Sequence, residues 1–213
     1  MSKIKAIIFD FDGVIVESMG IKADAFLHVF REYPQIKEKI IEFHMQRGGM
    51  PRWEKFKIIS ERYLGKRLSD EQVRIMGEEF GQYVFERVIQ APFVKGALEF
   101  LMRNEGQYLF FIVSGTPQEE IDEIIRRRQL DSYFKEVFGA PATKAEAIMK
   151  IVNKYGLTTV GTLFIGDALD DYEGAMSAGV NFIGRILDGH NNFVGLSGVK
   201  GLVQDLSELQ KYV

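Results

Sequence analysis

The chain has 213 residues, room for one substantial core or a core with a small second unit, and its 46% apolar and 27% charged residues are ordinary for a soluble globular protein. A net charge of -3 without long runs of one sign gives no basis for a nucleic-acid groove or a polybasic membrane patch, and the lack of cysteine excludes disulfides and thiolate metal sites. The opening MSKIKAIIFDFD is broken by Asp10 and fits neither a signal peptide nor a membrane span, so a cytoplasmic soluble protein is expected.

Residues 4–9 form an apolar run that reads as a strand buried on both faces and ends in Asp10-Phe11-Asp12-Gly13. Residues 17–90 then show no convincing strand. Ala23, Phe26, Phe30 and later Val73, Met76, Phe80 and Val84 recur at helical spacing, with Pro34, Gly48-Gly49-Met50-Pro51 and Gly65 as punctuation, which predicts about four helices. From Ala91-Pro92 onward the pattern alternates. Helices are expected at 97–103, 118–128, 145–155 and 172–178, and strands at 108–113, 136–138, 162–165 and 180–183. This predicts an α/β protein with a Rossmann-like parallel-sheet core (1–16 and 91–213) and an inserted α-helical cap domain (17–90), hinged near Val16 and Pro92. Ligands of such sheets bind beyond the carboxyl ends of the strands.

Those ends carry the residues with chemistry. Asp10 and Asp12, two apart on an extended segment, project to the same side and repel each other, and Gly13 would let backbone approach a ligand closely. Alone, the stretch would also serve as an acidic turn. The next strand end reads Ser114-Gly115-Thr116-Pro117-Gln118-Glu119, where Thr116 as N-cap, Pro117 at the first helical position and Glu119 mark a helix start. Its free amides and the Ser114 hydroxyl suit a phosphate, although a merely well-capped helix would look the same. Lys144 shares a helical face with Ile148, Ile151 and Tyr155, so it should point over the strand ends, and its charge at a helix N-terminus calls for anions nearby. In Gly166-Asp167-Ala168-Leu169-Asp170-Asp171, Asp170 with Glu173 matches an N-cap box, Asp167 has no capping role, and Asp171 suits either a first helical turn or a ligand. Asp10, Asp12, Asp167 and Asp171 together would suppress one another's ionisation unless a hard cation joins them. Oxygen donors without His or Cys select Mg²⁺, which completes its shell with water and substrate phosphate, so the expected chemistry is phosphoryl transfer.

These motifs, in this order, resemble the haloacid dehalogenase superfamily of hydrolases, in its phosphatase branch with a helical cap after the first motif (the phosphoglycolate phosphatase and β-phosphoglucomutase-like group). The resemblance implies that Asp10 is the nucleophile that becomes an aspartyl phosphate, and that Asp12 acts as acid and then base, with its main-chain carbonyl on Mg²⁺. It implies that Ser114, the Gly115 amide and Lys144 hold the phosphoryl oxygens, that Asp167 binds the metal, and that Asp171 lies on the metal or behind it. The presence of Asp12 argues against dehalogenation. Residues 44–55 look like the family's specificity loop, where Arg52 or Lys55 would meet an anionic or hydroxylated leaving group. Both also suit surface charges on the helix that Pro51 begins, Lys55 more so, and His44 and Trp53 read as packing residues. The expected function is Mg²⁺-dependent hydrolysis of a small phosphorylated metabolite by a monomer or homodimer. The alternatives are a sugar phosphomutase of the same superfamily and, from another class, a receiver-like phospho-aspartate domain, against which the long insertion and the paired acids argue.

Overall fold

Strand β1 (Ala6–Phe9) sends Ile7 and Phe9 into one apolar cluster and Ala6 and Ile8 into another, so both faces of its sheet are covered. The computed structural model describes residues 3–187 and 191–213. It places β1 in a six-stranded parallel sheet with β2 (Leu109–Pro117), β3 (Phe134–Ala140), β4 (Thr162–Gly166), β5 (Asn181–Arg185) and β6 (Val199–Val203). The order is β3-β2-β1-β4-β5-β6, so the chain builds outward on one side of β1 and then crosses to the other. That reversal opens a crevice beyond the carboxyl ends of β1, β2 and β4. Strand β6 lay outside the expected set, because Lys200 and Gly201 interrupt its apolar pattern and only Val203 is buried. Its pairing with β5 makes it a strand.

Helices α1 (Met19–Val29), α2 (Lys37–Gln46), α3 (Arg52–Leu64) and α4 (Asp70–Gln90) lie between β1 and α5 (Ala97–Arg103). Phe26, Phe56 and Phe80 from α1, α3 and α4 pack with ring centroids 5.5, 4.7 and 5.9 Å apart, and this cluster is continuous with the Ile7 and Phe9 face of the sheet. Where the helical segment enters and leaves, Val16 bridges Phe93 and the Glu17 amide donates to the Pro92 carbonyl at 2.9 Å. The remaining helices are α6 (Gln118–Arg127), α7 (Lys144–Lys154) and α8 (Leu169–Ala178). A capping box starts α7: Thr143 Oγ1 accepts from the Glu146 amide at 3.3 Å and the Glu146 carboxylate accepts from the Thr143 amide at 3.0 Å. This makes Lys144, rather than Ala145, the first helical residue. No helix among the described residues is long and apolar enough to cross a membrane.

Candidate active site

The acids on the sheet side follow from two strand ends. Asp10 comes directly after β1, where the Phe11 amide donates to its Oδ1 at 2.7 Å, and Asp167 comes directly after the neighbouring β4. Gly13 turns the chain with φ +72°, and a Cβ there would lie 2.6 Å from Asp167 Oδ2. The space Gly13 leaves is therefore taken up by the Asp167 carboxylate. Asp171 caps α8 from within: its Oδ2 accepts from the Asp167 and Ala168 amides, each at 3.1 Å. Helix α8 begins at Leu169, so the N-cap position expected for Asp170 belongs to Ala168. Asp170 instead faces Arg47 at 3.3 Å.

Asp10, Asp167 and Asp171 offer carboxylate oxygens within 4.8 Å of one another, all buried. Lys144 Nζ lies 2.9 Å from Asp10 Oδ1 and 2.7 Å from Asp171 Oδ1, and it donates to the Val113 carbonyl at 2.9 Å. Against the desolvation that would discharge it, the two carboxylates raise its pKa above the ordinary lysine value of 10.5 and keep it protonated. Burial, and then repulsion from Asp171, push the Asp10 carboxyl up from 3.8 to about 7, and the same two causes push Asp167 well above 3.8. Both Asp167 carboxylate oxygens are buried without a hydrogen-bond partner among the described residues. Three carboxylates against one ammonium, with two orphaned oxygens, fit a divalent cation with hard oxygen preference.

Asp12 uses its carboxylate elsewhere. Ser18 Oγ donates to it at 2.6 Å, Lys22 Nζ at 2.5 Å and Thr116 Oγ1 at 3.1 Å, and Lys22 also donates to Thr116 Oγ1 at 2.9 Å. Burial alone would raise its pKa, but the Lys22 charge and these hydrogen bonds hold it below 3.8. A metal role for Asp12 therefore rests on its main-chain carbonyl. Thr116 is not the N-cap of α6: β2 continues through Pro117, which takes the capping position with no side-chain cap, and the Thr116 hydroxyl is left for Asp12.

The helices α1 to α4 close over this floor. A cavity of about 20 Å³ lies between them and the sheet, lined by Asp10, Asp12, Lys22, Arg52, Lys55 and Thr116 among others. That is space for about one water. An adjoining cavity of about 250 Å³ is lined by Ser114, Gly115, Lys144 and Asp170 with residues of the 49–51 loop. The Ser114 hydroxyl oxygen accepts from the Thr116 amide at 3.1 Å. A Cβ on Gly115 would lie 2.2 Å from the Gly49 carbonyl, so only glycine lets that loop approach so closely. Arg52 pairs with Glu120 of α6 and covers the Phe80 ring at 5.2 Å.

Lys55 is no surface charge. It is 2% exposed, 3.1 Å from His44 Nδ1 and 3.0 Å from the Gly48 carbonyl, because the 48–51 loop and α2 fold over the start of α3. Burial pulls its pKa from 10.5 down to about 7. His44, expected only to pack, is fully buried and shares the small cavity, and burial together with the Lys55 charge holds it well below its usual 6.5. Lys22, Thr116 and His44 were outside the expected site. Ser18 and Lys22 are four apart, a spacing that puts them on one helical face, but nothing in it points to Asp12.

A family model described as haloacid dehalogenase-like hydrolase matches residues 7–185. The chain is 29% identical over 195 residues to a phosphoglycolate phosphatase from Pasteurella multocida, covering 86% of each. It is 25% identical over 193 residues to a phosphorylated carbohydrates phosphatase from Thermotoga maritima, covering 88% of each. Among solved structures, a hydrolase from Pseudomonas syringae superposes with a TM-score of 0.79 at 19% identity, over 97% of this chain and 96% of that one. A haloacid dehalogenase-like family hydrolase from Streptococcus pneumoniae gives 0.77 at 18% identity, over 100% and 99%. At these identities the superpositions speak to the fold.

Proposed function

The chain belongs to the haloacid dehalogenase-like hydrolase family and is a phosphatase of that family, and from this premise we propose that it hydrolyses a small phosphorylated metabolite through a phosphoaspartate on Asp10, with Mg²⁺ as its metal. One observation carries the reading: Asp10 is buried at the end of the central strand, oriented by the Phe11 amide and Lys144, beside a carboxylate with two orphaned oxygens. Asp10, Asp167 and Asp171 would hold the metal together with the Asp12 carbonyl, and when bound it supplies positive charge for the phosphoryl oxygens. The Phe11 amide and the Lys144 ammonium both hold Asp10 Oδ1, which leaves Oδ2 free to attack phosphorus. Ser114, the Gly115 amide and Lys144 hold the transferred oxygens. The charge of an arriving phosphate monoanion raises the proton affinity of Asp12, which takes up the monoanion's own proton, passes it to the leaving oxygen as the ester P–O bond breaks and then, ionised again beside Lys22, accepts one from the water that attacks the phosphoaspartate. Residues 17–90 act as a cap that opens for substrate and closes to exclude water, swinging on the paired segments at Val16 and Phe93.

The test is steady release of phosphate from an aryl phosphate. It should require Mg²⁺, stop with a chelator, and fall on the order of 10⁴-fold in Asp10→Asn while the variant stays folded by circular dichroism. Activity that survives both changes overturns the mechanism.

A further inference from the structure

Strand β5 ends in an arginine. In Asn181-Phe182-Ile183-Gly184-Arg185 alternate residues face opposite sides of the sheet, so Arg185 follows Ile183 onto the face of Ile7 and Phe9. Gly184 is in register with Gly166, which puts Arg185 level with Asp167 at the carboxyl ends of the strands. Arg185 is 7% exposed, unusually little for an arginine. Its Nε donates to the Gln204 carbonyl at 3.1 Å, Nη1 to the Gly13 carbonyl at 2.7 Å and Glu17 Oε2 at 3.0 Å, and Nη2 to Glu17 Oε1 at 2.6 Å.

The Glu17 side chain is 41% exposed, so the ion pair by itself adds little to stability. The distinctive feature is where the two contacts fall. Gly13 directly follows Asp12, and its amide closes the turn onto the Val16 carbonyl at 2.8 Å. Glu17 directly precedes Ser18, whose hydroxyl donates to the Asp12 carboxylate at 2.6 Å. One rigid fork therefore holds both the main chain next to Asp12 and the residue next to its hydrogen-bond donor. A second core arginine, Arg128, anchors the other crossing into the helical segment. It donates to the Val88, Ile89 and Ala91 carbonyls at 3.0, 2.6 and 2.8 Å and covers the Phe93 ring at 4.3 Å. None of those groups adjoins Asp12.

Resting on the phosphatase reading of this site, we propose that Arg185 is a positioning residue for proton transfer by Asp12: it fixes the 12–18 segment so that the carboxylate meets the leaving oxygen. Its loss then costs most where that oxygen needs a proton most. Phenyl phosphate and 4-nitrophenyl phosphate have nearly the same shape, but phenolate is the stronger base and the poorer leaving group, so phenyl phosphate depends more on a well-placed acid.

The test compares the two esters by kcat/KM, which reports the steps up to departure of the leaving group; the later attack of water is common to both. With Mg²⁺ present, Arg185→Gln should lower kcat/KM at least about tenfold for phenyl phosphate and less than about threefold for 4-nitrophenyl phosphate. Arg185→Lys, which keeps the charge without the fork, should recover part of the loss. Arg128→Gln loosens the opposite crossing and should change both esters by the same factor. Equal losses in Arg185→Gln overturn the proposal, because they would mean that the arginine only holds the cap, and so does no loss in either. A second readout needs no turnover. By NMR, the Gly13 and Val16 amides should exchange hydrogen at least about tenfold faster in Arg185→Gln, while Ile8 and Phe164 of the central strands keep their rates. If Arg185→Gln does not fold, Glu17→Gln is compared in the same way. Failure of the unmodified chain to release phosphate from either ester refutes the phosphatase reading, whereas unchanged exchange at Gly13 refutes the role of Arg185 whatever is turned over.

Discussion

On the sheet side of the site, Asp10, Asp167 and Asp171 come from the ends of two adjacent parallel strands and the helix that follows the second. On the cap side, Lys22, Arg52 and Lys55 come from two helices whose positions depend on phenylalanine packing around Phe26, Phe56 and Phe80. The sheet side has too much negative charge for its one lysine, and strand register holds it in place. The cap cations find their partners only across the gap, at Asp12 and Glu120, with Arg47 reaching Asp170 and Glu173 nearer the surface. On the proposed motion of residues 17–90, the sheet keeps the chemistry assembled in either position, whereas Lys22 and Arg52 meet their acids only when the helices lie over the sheet.

The sharpest way to break this contrast is Lys22→Met, which leaves the Asp12 carboxylate, 4% exposed, without its cation. We expect kcat/KM for an aryl phosphate to fall on the order of 10²-fold, with partial recovery in Lys22→Arg. An unchanged kcat/KM would mean that the sheet side works alone.

Asp167→Asn probes the surplus charge on the other side. Asp10 and Asp167 have raised pKa values, so their contribution to the stability of the metal-free protein is fully present below 3.8. For Asp10 it is lost as pH rises through about 7, where burial penalises the carboxylate. In chelator at pH 8 the substitution should therefore raise Tm by a few degrees, about 1 kcal/mol or more, with a smaller gain at pH 5. With saturating Mg²⁺ the order should reverse. A lower Tm in chelator at pH 8 would show that the acids are not in excess.

Arg47→Ala should have the smallest effect. The Arg47 side chain is 30% exposed, so its pairs with Asp170 and Glu173 are worth about 0.5 kcal/mol, and KM should change less than about threefold. That difference should vanish at high salt. A tenfold change would place Arg47 in the site itself.

The legible parts of the molecule were those that short-range pattern controls. Buried parallel strands need continuous apolar runs, which mark β1, β2 and β4, and the acids that follow them need no tertiary information to be seen. Thr116 was misread because a hydroxyl before a proline looks like an N-cap. Only the approach of Asp12 and Lys22 decides that it serves the carboxylate instead. Asp170 and Asp171 were separable only once α8 was seen to start three residues earlier, at Leu169, which gives the capping amides to Asp171 and leaves Asp170 facing Arg47. For Lys55 the surface reading outweighed the leaving-group one because lysines are usually exposed, and nothing within a few residues of it reveals that the 48–51 loop will cover it.

The sequence by itself determined the α/β alternation and the placing of Asp10, Asp12 and Asp167 after strand ends, because strand burial and chain direction are written in local patterns. Only the tertiary structure decided which cation meets which acid: Lys144 with Asp10 and Asp171, Lys22 with Asp12, and Arg52 with Glu120. Charge pairing across a fold depends on where separate elements come to rest, and in this molecule the packing of α1 and α3 against the sheet sets that position.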